Sequence, residues 1–241
     1  MTVPIVESSS PNFNDRKGPV SILVLHYTGM ESGAAALARM CDPAAQVSAH
    51  YMVEEDGRIF RLVPEDKRAW HAGVSEWNGI TDVNSASIGI EIVNGGHDYG
   101  LPDFPDAQIN ALIPLCKRIL DAHDIAPRNV VGHSDIAPER KDDPGERFPW
   151  SGLAAAGIGL WPGEGNGDRR VLFEAGDRDR GVTLMQRALA GIGYAVELDG
   201  VMGERMVATV RAFQRRYRPE QIDGVIDMET LDLAGRLARQ I

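Results

Sequence analysis

The chain has 241 residues, of which 43% are hydrophobic and 25% are charged. This length and composition predict a globular protein with one well-packed core and a smaller second unit. The formal net charge of −10 lies wholly in residues 1–164, with 13 basic against 23 acidic side chains; residues 165–241 hold 12 of each. Nucleic acid and anionic membrane surfaces attract basic patches, so neither is an expected partner.

Residues 1–7 contain neither a basic segment nor an apolar one, so we expect no signal peptide. The longest weakly polar stretch, residues 152–161, is too short to span a bilayer. The only cysteines, Cys41 and Cys116, lack the CxxC spacing of a closed thiolate metal site and agree with a reducing compartment. We expect a cytoplasmic monomer, with a periplasmic or cell-envelope form trimmed of its leader as the alternative.

Apolar segments in the first 162 residues predict a mixed α/β domain with a central sheet flanked by helices. Residues 1–17 are polar and predict an irregular arm before the first strand. The strands are predicted at residues 22–26, 51–53, 58–63, 87–93 and 129–131.

Two stretches with helical spacing of apolar residues predict the flanking helices. The first helix is predicted at residues 31–40. Its inward side chains are expected to be Ala34, Leu37 and Ala38, together with Cys41 just after the helix. The second helix spans residues 106–123 and contains Pro114. A proline inside a helix costs about 3 kcal/mol, so a bend or a shortened first segment is expected there.

Two histidines follow apolar strands, and one is followed by a loop rich in charge. His26 ends the strand at residues 22–26, and His133 opens a loop that also holds Lys141 and Asp143. Two imidazoles and a carboxylate are a ligand set for catalytic zinc, because three protein ligands leave the fourth position open for water. We therefore predict a zinc site at His26, His133 and Asp143, with the adjacent Asp142 as an alternative carboxylate.

A carboxylate and a lysine can supply the remaining chemistry of amide hydrolysis. In residues 87–93 the alternation places Glu91 on the face opposite the isoleucines, where it can reach the same cleft as His26. There it can take a proton from water and return it to the departing amine. Lys141 can bring a positive charge to the developing oxyanion.

Several separate motifs occur together in one order. They are VLHYT at 24–28, VSAHY at 47–51, AWHAG at 69–73, SIGIE at 87–91, GHSDIAP at 132–138 and DPG at 143–145. This set resembles the AmpD/AmiD-type N-acetylmuramoyl-L-alanine amidases of the amidase_2 family, whose fold is shared with peptidoglycan recognition proteins. The resemblance covers roughly residues 18–162.

The resemblance implies zinc-dependent hydrolysis of the amide between N-acetylmuramic acid, or its 1,6-anhydro form, and the L-alanine of the peptidoglycan stem peptide. It also implies the same roles for His26, His133, Asp143, Glu91 and Lys141. Peptidoglycan or muropeptides are the expected partners, in cell-wall turnover or recycling. A non-catalytic recognition protein and a metallo-endopeptidase of the stem peptide are the alternatives; the first is disfavoured because all five residues are present, the second by the motif set.

The motifs also suggest residues around the metal site. The substrate-binding candidates are Tyr27, Trp70, His71 and Asn94, with pure packing as the alternative for Trp70 and His71. His50 and His71 are expected near the site without being ligands, whereas His97 and His123 are expected at the surface. Ala49 stands where recognition proteins and phage amidases tend to place a catalytic tyrosine, which leaves the acid/base role to Glu91.

A glycine-rich stretch at residues 163–168 divides the chain. We predict a catalytic domain at residues 1–162, a linker at 163–180 and a three-helix domain at 181–241. Within the last domain, Asp199-Gly200-Val201 and Asp223-Gly224-Val225 form a short internal repeat. This half resembles the PGB-type peptidoglycan-binding domain, although residues 217–222 depart from its compact pattern.

Overall fold

A six-stranded mixed sheet lies at the centre of residues 4–241, which are the residues that this computed structural model describes. In chain order the strands are β1 (Ile5–Glu7), β2 (Phe13–Asp15), β3 (Ile22–Tyr27), β4 (Tyr51–Val53), β5 (Ile59–Arg61), β6 (Lys67–Ala69), β7 (Ser87–Ile92), β8 (Val130–Gly132), β9 (Val171–Phe173) and β10 (Ile226–Asp227). The helices are α1 (Gly33–Cys41), α2 (Val83–Ala86), α3 (Asp106–His123), α4 (His133–Ile136), α5 (Trp150–Ala155), α6 (Arg180–Ile192), α7 (Glu204–Tyr217) and α8 (Met228–Ala238).

The central sheet has the strand order β1-β5-β4-β7-β3-β8, and β4 with β5 is its antiparallel pair. Strand β3 lies between β7 and β8 and is parallel to both. Its residues 22–25 are completely buried, because both faces of the strand are covered. The mixed α/β fold predicted from the sequence is therefore confirmed, and all five predicted strands lie within one to two residues of their positions.

One face of the sheet packs against α3. Leu23 and Leu25 of β3 share a buried apolar cluster with Leu112 and Ile119 of α3. The helix continues through Pro114, so the shortened first segment expected from the sequence is wrong. The proline ring lies on the exposed side of the helix, and the buried apolar side keeps the helix intact.

Two other local expectations are wrong. Helix α1 buries Gly33, Ala36 and Met40, while the expected inward residues Ala34 and Ala38 are exposed. In an alanine-rich helix several stripes are almost equally apolar, so the sequence does not identify the buried one. The N-terminal arm contains β1 and β2, which pair with β5 and β6. These short polar strands depend on distant partners, and residues 1–3 of the predicted arm lie outside the described residues.

The C-terminal module consists of α6, α7, α8 and the antiparallel pair of β9 with β10. The three predicted helices are present. The predicted linker, residues 163–180, contains β9, so part of it belongs to the fold of the module.

The internal repeat of this module has a common hydrogen-bond pattern. In each copy a buried glutamine donates to the aspartate and accepts from the backbone N–H of the glycine that follows it. The bonds are 2.8 and 2.9 Å for Gln186 with Asp199 and Gly200, and 3.1 and 2.8 Å for Gln214 with Asp223 and Gly224. Both glycines have positive φ angles, of 72° and 78°, which a side chain would disfavour.

The second face of the sheet and the C-terminal module share one apolar cluster. Ile22 and Val24 of β3 belong to the same continuous buried set as Val182, Leu189 and Phe213 of the module. The module is therefore packed onto the catalytic domain. No helix within residues 4–241 has both the length and the apolar character needed to cross a membrane.

Candidate metal centre and active site

The parallel register of three strands brings the candidate residues together. The Cα atoms of His26 in β3 and Glu91 in β7 are direct partners. On the other side of β3, Leu25 pairs with Gly132, the residue before His133. The two histidines and Glu91 therefore lie at the carboxyl ends of adjacent parallel strands, where α/β proteins commonly place their ligands.

Three buried side chains converge at this point. The Nδ1 atom of His26 lies 3.0 Å from Nδ1 of His133 and 2.9 Å from Oδ2 of Asp143, and Nδ1 of His133 lies 3.1 Å from the same oxygen. All three residues are less than 10% exposed. Asp142 instead pairs with Arg215 at 2.6 Å, so of the two adjacent carboxylates Asp143 is the one at the histidines.

A backbone carbonyl determines the tautomer of His133. Its Nε2 lies 3.1 Å from the carbonyl oxygen of Ala72, which can only accept a hydrogen bond. Nη2 of Arg140 also lies near Nε2, but at 3.4 Å it is farther away than the carbonyl, so the shorter contact assigns the proton to Nε2. In the neutral ring, Nδ1 then presents a lone pair to His26 and Asp143.

A relay of hydrogen bonds determines the tautomer of His26. The hydroxyl of Ser87 donates to the carbonyl of Val83 at 2.6 Å, so it accepts from Nε2 of His71 at 3.3 Å. Nδ1 of His71 is then the acceptor for Nε2–H of His26 at 3.0 Å. Nδ1 of His26 consequently presents a lone pair, and such outer hydrogen bonds are typical of metal-binding histidines.

The three convergent atoms are acceptors, and this donor set fits a divalent cation. Burial, followed by the charge of His133, lowers the pKa of His26 to about 4, so its ring is neutral near pH 7. Burial also lowers the pKa of His71 well below its usual value. Two imidazole lone pairs and one carboxylate oxygen, separated by 2.9 to 3.1 Å, repel one another unless a cation lies between them, and this set suits zinc.

Glu91 lies beside this group at the cleft. Its Oε2 atom is buried and has no hydrogen-bond partner among the described residues. Burial, and then the negative charge of Asp143, raises the pKa of Glu91 well above its usual value, while the charge of Lys141 opposes this increase. A carboxyl group with a raised pKa and a free oxygen can both accept and return a proton.

The cleft next to Glu91 has a volume of about 560 Å³. It is bounded by the segment after β3, by α1 and by the loop that follows β7. Its lining includes Thr28, Met30, Arg39, Met40 and Tyr99. These loop and helix positions carry no motif, so the sequence did not indicate them, although an exposed tyrosine such as Tyr99 is a usual sign of a binding surface.

The four substrate-binding candidates occupy different positions. Tyr27 lies at the rim, where its hydroxyl is 3.0 Å from Nδ1 of His97, and Trp70 donates to Asn14 at 3.2 Å. His71 is buried behind His26, and the amide of buried Asn94 donates to the carbonyl of Pro102 at 2.8 Å. Contact with substrate stays a prediction for all four.

The other histidines lie outside the convergent group. His50 is buried behind the site and contacts the backbone of Gly89 and Lys67. His97 is exposed, and His123 is partly exposed and paired with Glu65 at 2.6 Å.

Comparison with known proteins gives the class to which this fold and site belong. The N-acetylmuramoyl-L-alanine amidase family matches residues 16–146, which is more than half of the chain. A peptidoglycan binding domain family matches residues 178–233. The chain therefore belongs to the N-acetylmuramoyl-L-alanine amidase family, and the resemblance seen in the motifs is confirmed.

Individual relatives extend this likeness over both parts of the chain. The N-acetylmuramoyl-L-alanine amidase AmiD of Escherichia coli is 41% identical over 231 residues, which is 90% of this chain and 82% of AmiD. The 1,6-anhydro-N-acetylmuramyl-L-alanine amidase AmpD of the same organism is 44% identical over 106 residues, 44% of this chain and 56% of AmpD. The match to AmpD therefore covers less than half of the stretch that matches AmiD.

Solved structures show the same arrangement. The complex of E. coli AmiD with anhydro-N-acetylmuramic acid-L-Ala-D-gamma-Glu-L-Lys superposes with a TM-score of 0.77 at 36% identity, covering 95% of this chain and 98% of that one. AmpDh3 of Pseudomonas aeruginosa has a TM-score of 0.76 at 37% identity, covering 92% of each chain. Both likenesses include the C-terminal module.

The close approach of Gly89 to His71 can be tested by substitution. A Cβ atom at position 89 would lie 2.5 Å from the His71 ring, so Gly89→Ala should displace the ring that orients His26. We expect metal affinity to fall by about 10- to 100-fold, the usual cost of disturbing such a partner. Chelator competition measures this. Gly191→Ala, at a helix position with open space, is the control and should bind metal like the wild type.

Proposed function

We propose that this chain hydrolyses the amide bond between N-acetylmuramic acid, or its 1,6-anhydro form, and the L-alanine of the stem peptide in a zinc-dependent reaction. The observation that carries the proposal is the convergence of three buried lone pairs beside a carboxylate that has a free oxygen. Membership of the amidase family supports the choice of bond.

His26, His133 and Asp143 would hold the ion. A zinc ion bound there would lower the pKa of water to about 7 and would act as a Lewis acid toward the amide carbonyl. The outer hydrogen bonds from Ala72 and His71 keep both imidazoles aimed at the same point.

Glu91 acts as the general base and then as the general acid. It accepts a proton from the attacking water and later delivers this proton to the departing amine of L-alanine. Its unpartnered Oε2 has no competing donor from the described residues, so the oxygen is available for water. The burial that raises its pKa makes the carboxylate a stronger base for the proton of the water.

Lys141 stabilises the oxyanion that develops on the scissile carbonyl. Its charge lowers the pKa values of both His26 and Glu91, which supports this role. A fixed charge in a partly buried site stabilises a developing negative charge more strongly than it would in water.

We further propose that both soluble anhydro-muropeptides and polymeric peptidoglycan are substrates. Relatives have been solved with an anhydro-N-acetylmuramic acid peptide and with an anhydromuramic pentapeptide, which supports the first. The match of residues 178–233 to a peptidoglycan binding domain supports the second.

Product analysis tests the proposal directly. Purified sacculi and anhydro-muropeptides are incubated with the full chain, with and without a chelator, and the products are identified by mass spectrometry. We expect free stem peptides beginning with L-alanine from both substrates, loss of activity with the chelator and recovery with added zinc. Activity that survives complete chelation would contradict the zinc dependence, and cleavage within the stem peptide would contradict the choice of bond.

The role of Glu91 predicts a selective loss of rate. Glu91→Gln keeps the size of the side chain but removes the base, so kcat should fall by about 10²- to 10⁴-fold. Zinc binding should remain, because Glu91 is outside the ligand group. Glu55→Gln, in the exposed turn between β4 and β5, is the matched control and should keep the wild-type rate. Near-full activity of Glu91→Gln would refute the assignment.

The charge of Lys141 predicts a shift in the pH profile. The base must be deprotonated, so the rate is lost as the pH falls through the pKa of Glu91. Lys141 lowers that pKa, and Lys141→Met should therefore raise it and move the acid limb of kcat/KM to higher pH. Lys117→Met, on the exposed side of α3, should leave the profile unchanged. An acid limb that stays in place, or moves to lower pH, would argue against this coupling.

A further inference from the structure

Asp135 is a buried carboxylate two residues after the candidate ligand His133. Only 1% of its surface is exposed, and three donors surround it. Its Oδ2 accepts from the backbone N–H of Gly132 at 2.8 Å and from Nη1 of Arg216 at 2.6 Å, and its Oδ1 accepts from the hydroxyl of Tyr194 at 2.6 Å. Two of these donors belong to the C-terminal module.

Arg216 bonds to the first residue of β8 and to the helix turn that follows this strand. While Nη1 bonds to Asp135, Nη2 donates to the carbonyl of Val130 at 2.9 Å. Its guanidinium also lies 4.0 Å from the ring centre of Trp150. One planar cation with a fixed fork therefore holds the first residue of β8 and the helix turn after it in one geometry.

Strand β8 needs such a support. It has three residues, lies at the end of the sheet and, among the described strands, pairs with β3 alone. Its free edge would otherwise leave backbone groups without partners. His133 follows directly, so a small rotation of β8 would move its imidazole away from His26.

The module also contacts the other end of the ligand segment. Nη2 of Arg215 lies 2.6 Å from Oδ1 of Asp142, the residue before Asp143. The Tyr194 ring packs edge-on against Trp77 with ring centres 5.0 Å apart. The C-terminal module thus contacts the segment from Val130 to Asp143 on both sides of its loop.

We propose that the C-terminal module is part of the scaffold of the metal centre, with Tyr194 and Arg216 as positioning residues for His133. This inference rests on the proposed metal site. It assigns the module a task in metal binding and catalysis that is separate from any contact with peptidoglycan, since both side chains are buried within the chain.

Tyr194→Phe in the full chain is the sharpest test. It removes one hydroxyl, keeps the ring against Trp77 and leaves Asp135 paired with Arg216. A partner that bonds directly to a metal ligand typically contributes about 10- to 100-fold in affinity, and Tyr194 acts on His133 only through Asp135 and Gly132. We therefore expect a loss at the low end of this range, about tenfold, in zinc affinity by chelator competition. The absorption spectrum of the cobalt-substituted protein should change, and kcat should fall while KM is retained.

Tyr217→Phe is the matched control. It also removes a hydroxyl from a buried tyrosine of the module, and the Tyr217 hydroxyl makes no hydrogen bond to the described residues. Zinc affinity, cobalt spectrum and kcat should match those of the wild type. Arg216→Lys keeps the charge but replaces the planar two-nitrogen fork with a single nitrogen, so it should shift the same measurements in the direction of Tyr194→Phe.

The outcomes separate this inference from the proposed function. If the wild type binds no zinc, the proposed function fails and the inference fails with it. If the wild type binds zinc and Tyr194→Phe keeps its affinity, cobalt spectrum and kcat, the inference alone is overturned. Should Arg216→Lys fail to fold, Tyr194→Phe still decides, because a neutral isosteric change leaves no buried charge unpaired.

Discussion

The whole site depends on the orientation of two imidazole rings by hydrogen bonds on their outer sides. The carbonyl of Ala72 and Nδ1 of His71 each accept a hydrogen bond from the far nitrogen of a candidate ligand histidine. Both rings then direct a lone pair at one oxygen of Asp143. Without these partners the rings could flip or become protonated, and the same three residues would form an ordinary buried ion pair.

The sheet supplies the distances that this orientation requires. Parallel strands β7, β3 and β8 end at one edge, so Glu91, His26 and His133 come from adjacent positions although 107 residues separate the two histidines. Gly89 leaves room for the His71 ring on the same face. A catalytic group on a rigid strand is held more closely than one on a loop. The geometry thus combines a fixed carboxylate, the proposed base, with a convergent group of three acceptors, the proposed metal ligands.

The C-terminal module is packed onto the catalytic domain and is not attached by a linker alone. Its helices complete the apolar cluster on the second face of the sheet, and Arg216 and Tyr194 reach the turn that carries His133. Such a buried charge pair adds little net stability when compared with apolar packing, but it imposes one geometry on the groups that it joins. Packing between the two units therefore reaches the turn that carries His133.

The sequence by itself determined the sheet strands, helix α3, the three helices of the module and the residues that meet at the candidate site, because these follow from local periodicity and from motifs in a fixed order. It did not reveal that β1 and β2 are strands, which face of α1 is buried, or that Asp135 joins the two units. Only the tertiary structure decided these, together with the tautomers of His26 and His133. Each of these features depends on contacts between residues far apart in the chain, and the pattern of a short stretch of sequence does not predict such contacts.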